Sequence, residues 1–267
     1  MLSFEWIMTF LALGSIVGFI AGLLGVGGGG ILVPILTSLF LLQGVSPENV
    51  VHLALGTSMA CIIVTSISSM RAHNKTGAVR WDLVKQMSVG IIIGTFCSTF
   101  IASYLNSFYL AIFFATFMSI MALNLLRKTT IQSTPKPEAT SSVLLPAVGI
   151  GAVSALVSIG GGALTVPYLT SRNVAIKHAI ATSATIGLPI SLAGTIGYLV
   201  NGWGAALGSE YTLGFVYLPA FLLIALSSFF TAPFGVRASH YLPVATLKKI
   251  FAFLLITLSL KMLWSVI

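Results

Sequence analysis

Four consecutive glycines, Gly27, Gly28, Gly29 and Gly30, stand inside a long apolar stretch, and Gly160, Gly161 and Gly162 repeat them in the second half of the chain. Each run is followed at the same distance by a proline, Pro34 and Pro167. Glycine runs are unfavourable in a helix interior, and more so in a bilayer, where freed backbone groups find no water. A helix that restarts after such a run offers unpaired N–H groups at the positive end of its dipole, with no side chains to keep a ligand away. That is the chemistry of an anion site. Two such breaks from two halves would face one small anion from both sides near mid-membrane, and paired breaks of this kind point to a carrier's binding site. A second repeated block, Ala54-Leu55-Gly56-Thr57-Ser58 against Ala179-Ile180-Ala181-Thr182-Ser183, puts Thr57, Ser58, Thr182 and Ser183 forward as hydroxyl donors. Other readings stay open: the glycines could serve only tight turns and helix contacts. The hydroxyls could bond their own i−4 carbonyl or a neighbouring helix.

Other chemistries find little support. Gly25-x-Gly27-x-x-Gly30 matches the dinucleotide fingerprint in form, but no strand precedes it and the surrounding run has membrane length. There is no H-E-x-x-H and no G-x-S-x-G, so no catalytic residue is assigned and no enzyme is expected. Cys61 and Cys97 match no metal or redox spacing, and no metal or cofactor is expected. Glu5, Glu48, Asp82, Glu138 and Glu210 all map to span ends or loops, which weakens a proton- or sodium-coupled mechanism. His52, His73, His178 and His240 lie near span ends or in loops and read as interfacial polar residues.

The elements that must hold these groups are membrane spans. Of 267 residues 57% are hydrophobic and 7% charged, where a soluble domain carries about 25% charged. Mean hydropathy is +1.05. The net charge of +8 is a statement of topology rather than of nucleic-acid binding. All Lys and Arg except Lys261 fall in four loops, Arg71 to Lys85, Arg127 to Lys136, Arg172 to Lys177 and Arg237 to Lys249. Basic residues gathered in short loops mark the cytoplasmic side, which leaves both termini periplasmic.

In order, a glycine-broken segment covers 6–42, with spans at about 50–70, 87–104 and 110–126. A polar, proline-bearing linker at 129–142 separates a first repeat, 1–128, from a second, 143–267. The second repeat has its broken segment at 143–171 and spans at about 178–200, 214–234 and 247–263. The loops before Val143 and after Ser171 are both basic, so 143–171 must enter and leave on one side. It does so as a re-entrant hairpin or as two short tilted helices. The expected fold is all-α and polytopic: two inverted repeats, each a broken hairpin plus three transmembrane helices. Gly14, Gly18 and Gly22 recur at helical spacing and are expected to serve close packing. Leu255 is expected to face lipid. The first glycine block, being longer, is expected to contribute more to recognition than the second, where Ala163 replaces the counterpart of Gly30.

The run Gly22-Leu23-Leu24-Gly25-Val26-Gly27-Gly28-Gly29 with Pro34, then Thr57-Ser58, the repeat Gly160-Gly161-Gly162 with Pro167, and the closing Leu247-Lys248-Lys249-Ile250-Phe251 resemble the sulfite exporter TauE/SafE family over nearly the whole chain. The resemblance implies transport of small sulfur-containing anions, such as sulfite, sulfoacetate or thiosulfate, across a bacterial inner membrane. The expected partners are a small anionic substrate and the lipid bilayer; a carrier for another small organic acid, or a membrane scaffold subunit, are the alternatives. Ala163 and Ala181, in place of the first-half glycines, make the two half-sites unequal.

Overall fold

A computed structural model describes residues 3–24, 28–126, 143–205, 211–239 and 244–266. Gly27 and the linker 129–142 therefore lie outside the described residues, as do Glu138, Glu210 and His240. Ten helices are present among the described residues: α1 (Phe4–Leu24), α2 (Gly29–Leu42), α3 (Val50–Lys75), α4 (Trp81–Tyr104), α5 (Ser107–Leu126), α6 (Leu144–Val157), α7 (Gly162–Ser171), α8 (Ile176–Asn201), α9 (Leu218–Ser239) and α10 (Val244–Val266). Six of them are long and apolar enough to cross a membrane. With 14 residues, α6 reaches about 21 Å, and α7, with 10 residues, about 15 Å. Neither alone matches a hydrocarbon core of ~30 Å.

The span expected from Gly214 opens differently. Thr212–Leu213 (β1) and Val216–Tyr217 (β2) pair as a small antiparallel hairpin, and α9 begins only at Leu218. The physical reason is local: Gly214 takes a positive φ of 52°, and the Phe215 N–H donates to the Tyr198 carbonyl at 3.1 Å. Phe215, Val216 and Tyr217 are thereby tucked into the bundle as a buried plug.

Packing exchanges the two halves. α1 lies against α9 and α6 against α4; α3 lies against α8 and α5 against α10; α2 packs on α3 and α7 on α8. Small residues make the first two contacts possible. A side chain at Gly18 would run into Ser228 and Thr231 of α9, and one at Gly94 into the Val148 backbone of α6. Close backbone approach through small residues is how helices associate in lipid, where the hydrophobic effect between them is absent. α3 and α8 form the centre of the bundle, with Leu53, Leu55, Met59, Ile186, Ile190 and Tyr198 fully buried. The outward faces carry side chains such as Ile92, Phe113, Leu222 and Phe253, all exposed to the surroundings as a lipid-facing surface requires.

Candidate functional site

The two glycine breaks meet in the middle of the bundle. In the first half the chain re-enters helix through Gly28, the residue before α2, with φ 74°. In the second half Gly161 caps α7 with φ 61°. Positive φ at both caps is the conformation for which glycine carries no steric cost. The caps are closed locally: the amides of Ile31 and Leu32 donate to the Gly28 carbonyl at 3.1 Å each, and Thr165 N–H donates to the Gly161 carbonyl at 2.8 Å. Pro34 and Pro167 lie inside α2 and α7. Having no N–H, they cannot donate back to Gly30 and Ala163 four residues earlier, which loosens the same turn in both helices.

Contact between the breaks is through backbone. A Cβ at Gly29 would collide with the Ser158 carbonyl, and one at Gly30 would stand 2.7 Å from the Met118 methyl and 3.7 Å from Ile159. Ser158 ends α6 in a left-handed conformation at φ 48°, an uncommon state for a residue other than glycine. It is held there by the Ile159 N–H bond to the Ser154 carbonyl at 3.1 Å. Its own hydroxyl donates to the Leu55 carbonyl of α3 at 3.4 Å. Ser158 was invisible in the sequence because it aligns with Gly25, and nothing in its type announces a break.

The four hydroxyl residues fall into two kinds. Ser58 Oγ donates to the Gly29 carbonyl at 3.4 Å, directly at the first break. Ser183 Oγ turns back to its own helix at Ile180, 3.1 Å, while its carbonyl lies 2.9 Å from the point where a Gly161 side chain would begin. Thr57 and Thr182 are fully buried and have matching roles across the halves. Thr57 Oγ1 accepts the Tyr217 N–H at 3.0 Å, just before α9 begins. Thr182 Oγ1 accepts the Arg80 N–H at 3.1 Å, just before α4 begins. Both threonines thus fasten the entrance of a long helix from the other half. The plug around Phe215 is held further by His52, whose ring stacks on Phe215 with centroids 5.1 Å apart. His52 Nε2 lies 2.9 Å from the Ala102 carbonyl. His178 Nδ1 lies 2.8 Å from the Ala78 carbonyl in the corresponding α3–α4 loop.

A small, largely apolar cleft runs along the meeting point of the breaks. Gly28, Gly30 and Ile31 line it from the first break and Ile159 and Ala163 from the second. Its far wall is made of Met118 and Met121 of α5 with Phe251 and Leu255 of α10. Leu255, expected at a lipid-facing position, is buried at 3% exposure. The heptad-like register of α10 turns it inward against α5, while Phe253 two residues earlier faces out. The methionines and Phe251 carried no motif and could be found only from packing. Among the described residues no group of His, Cys, Asp and Glu could hold a metal ion.

Six helices long and apolar enough to cross a membrane, together with a glycine-opened helix start in each half, define a polytopic membrane protein. The chain belongs to the sulfite exporter TauE/SafE family, whose description it matches over residues 10–262. It is 38% identical over 260 residues to a probable membrane transporter protein of Haemophilus influenzae, covering 97% of this chain and 98% of the relative. A probable membrane transporter protein of Methanocaldococcus jannaschii is 27% identical over 269 residues, with 98% of each chain covered. No solved structure matches.

Proposed function

We propose that this protein carries a small anion across the bacterial inner membrane, a sulfur oxyanion or organosulfonate of the sulfite, sulfoacetate or thiosulfate type. The anion binds where the two breaks meet, at Gly27, Gly28, Gly29 and Gly30 on one side and Gly160, Gly161 and Gly162 on the other. The carrying observation is that Gly28, Gly30 and Ile31 at the start of α2 and Ala163 in the first turn of α7 line one cleft, so that two helix starts, whose dipoles favour an anion, border the same space. Ser58 stands beside the first break and Ser183 behind the second. Thr57 and Thr182, each one residue before the serines, fasten the entrances of α9 and α4.

The apolar far wall favours a second reading of the same cleft. Met118, Met121, Phe251 and Leu255 offer no donor to a bare inorganic anion. They suit the hydrocarbon part of a small organic anion. Purified protein separates the two in a thermal-shift series with sulfite, a short alkanesulfonate and acetate. Stabilisation by sulfite at least as large as by the alkanesulfonate is expected for an oxyanion carrier, following RT ln(1 + [L]/Kd). Preference for the alkanesulfonate selects the amphipathic substrate. Indifference to all three overturns the carrier reading of this cleft.

The exchange of helix partners between halves, α1 with α9 and α6 with α4, supports two repeats related by a two-fold axis, and the charge placement favours an axis in the membrane plane. With the basic loops cytoplasmic, both termini are periplasmic. Reporter fusions at Ser133 and after Ile267 are expected to give opposite signals. Equal signals would remove the inverted arrangement.

A further inference from the structure

The second break carries a polar feature that the first lacks. Thr165 lies on the first turn of α7, fully buried, and its hydroxyl has no hydrogen-bond partner among the described residues. Ser154, Tyr168 and Thr195 are the other buried hydroxyls without a partner among the described residues, but most threonines of these helices are bonded. Thr37, Thr170, Thr185 and Thr231 all return their hydroxyls to a carbonyl four residues back at 2.9–3.1 Å, as threonines in apolar helices generally do. Thr165 does not, although the Gly161 carbonyl is available one turn earlier and already accepts its N–H. Its counterpart in the first half, Leu32, is buried and apolar.

The surroundings of this hydroxyl are bare backbone and the start of a helix. Residues 161 and 165 share one face of α7, and helical side chains lean toward the N-terminus. The Thr165 side chain therefore tips toward the Gly161 cap. Gly187 of α8 faces the same break, and a side chain there would begin 2.8 Å from Ser66 Oγ and 3.5 Å from the Gly160 carbonyl. Among the described residues no backbone carbonyl accepts from the Ala163 or Leu164 N–H. Bare backbone, unbonded helix-start amides and an orphaned donor converge at one place. A buried polar group without a partner weakens the fold, so its retention asks for a partner that comes and goes.

We infer that Thr165 is a substrate-binding residue, its hydroxyl donating to an oxygen of the anion held at the start of α7, so that the second break supplies the polar half of the site. The inference rests on the carrier reading above and sharpens it.

The experiment measures sulfite-dependent thermal stabilisation and sulfite flux in proteoliposomes for wild type, Thr165→Val, Thr165→Ser and Thr195→Val. Thr195 is the control, because its buried hydroxyl is equally without a partner but lies well along α8 from the break. Thr165→Val is expected to melt at or above the wild-type temperature without anion, since an unsatisfied group is replaced by a methyl. Its sulfite affinity is expected to fall by about tenfold or more, the loss of one hydrogen bond to a charged group. Thr165→Ser should restore binding to within about threefold, and Thr195→Val should bind as wild type. Wild-type affinity in Thr165→Val overturns the inference while leaving the carrier reading intact. A Thr165→Val protein that fails to fold would mean that the hydroxyl has a structural partner, and overturns it equally. A wild type indifferent to sulfite and to organosulfonates removes the carrier reading and this inference together.

Discussion

Gly29→Val is expected to abolish anion-dependent stabilisation and transport and to lower the melting temperature of the purified protein. The new side chain would be forced into the Ser158 carbonyl and would begin 2.5 Å from Ile62 Cδ1. Overpacking a filled core costs typically 1–3 kcal/mol, and the upper end applies because the main obstacle is backbone and cannot rotate away. At about 3 kcal/mol the melting temperature falls by roughly 10 °C for a chain of this size. On the proposed binding mode, pushing the breaks apart also displaces the helix starts that hold the anion, a loss of about 1.5–3 kcal/mol for a charged ligand, or roughly 10- to 150-fold in affinity. The comparison is with Phe253→Leu, which changes a side chain 73% exposed on the outer face. If Gly29→Val binds sulfite like that control, close approach of the two breaks is not what the site requires.

The second large effect is expected at Thr57. Thr57→Val preserves shape but removes the acceptor of the Tyr217 N–H at the entrance of α9. Losing the bond costs about 1 kcal/mol, rising toward about 3 when the amide stays buried. Tyr217 is 5% exposed and its ring sits edge-on to Phe40 with centroids 5.5 Å apart, so water cannot easily replace the lost acceptor. Thr182→Val breaks the matching bond to Arg80, which is only half-buried at the edge of the α3–α4 loop. Its effect should be smaller, near the lower figure. Melting temperatures of the two variants test the order. A cysteine at position 215 should also label faster in the Thr57→Val background, because the plug it belongs to has lost a fastening. Equal melting temperatures and unchanged labelling would show that the plug is held well enough by Phe215 packing on His52 and its bond to the Tyr198 carbonyl.

The chain's membrane character and its doubled break were written in the sequence for physical reasons that need no tertiary information. Lipid excludes charge and demands internally satisfied backbone, so hydropathy and the placement of Lys and Arg mark the spans. Glycine is costly in such a span, so two aligned runs of it announce themselves. The family resemblance rested on those same residues and holds for nearly the whole chain. What the hydroxyls do was not legible. Thr57 and Ser58 are adjacent and of like chemistry, yet helix geometry turns one toward the α9 entrance and the other toward Gly29. Leu255 looked like any apolar residue of a span, and only the packing of α10 on α5 turned it inward. The plug at Phe215 depended on a bond to Tyr198 from the end of α8. Local pattern therefore determined which segments lie in the membrane and where they break. Which faces meet is decided by the fit of backbone to backbone between distant segments, and that alone set Gly29 against Ser158 and left Thr165 buried without a partner.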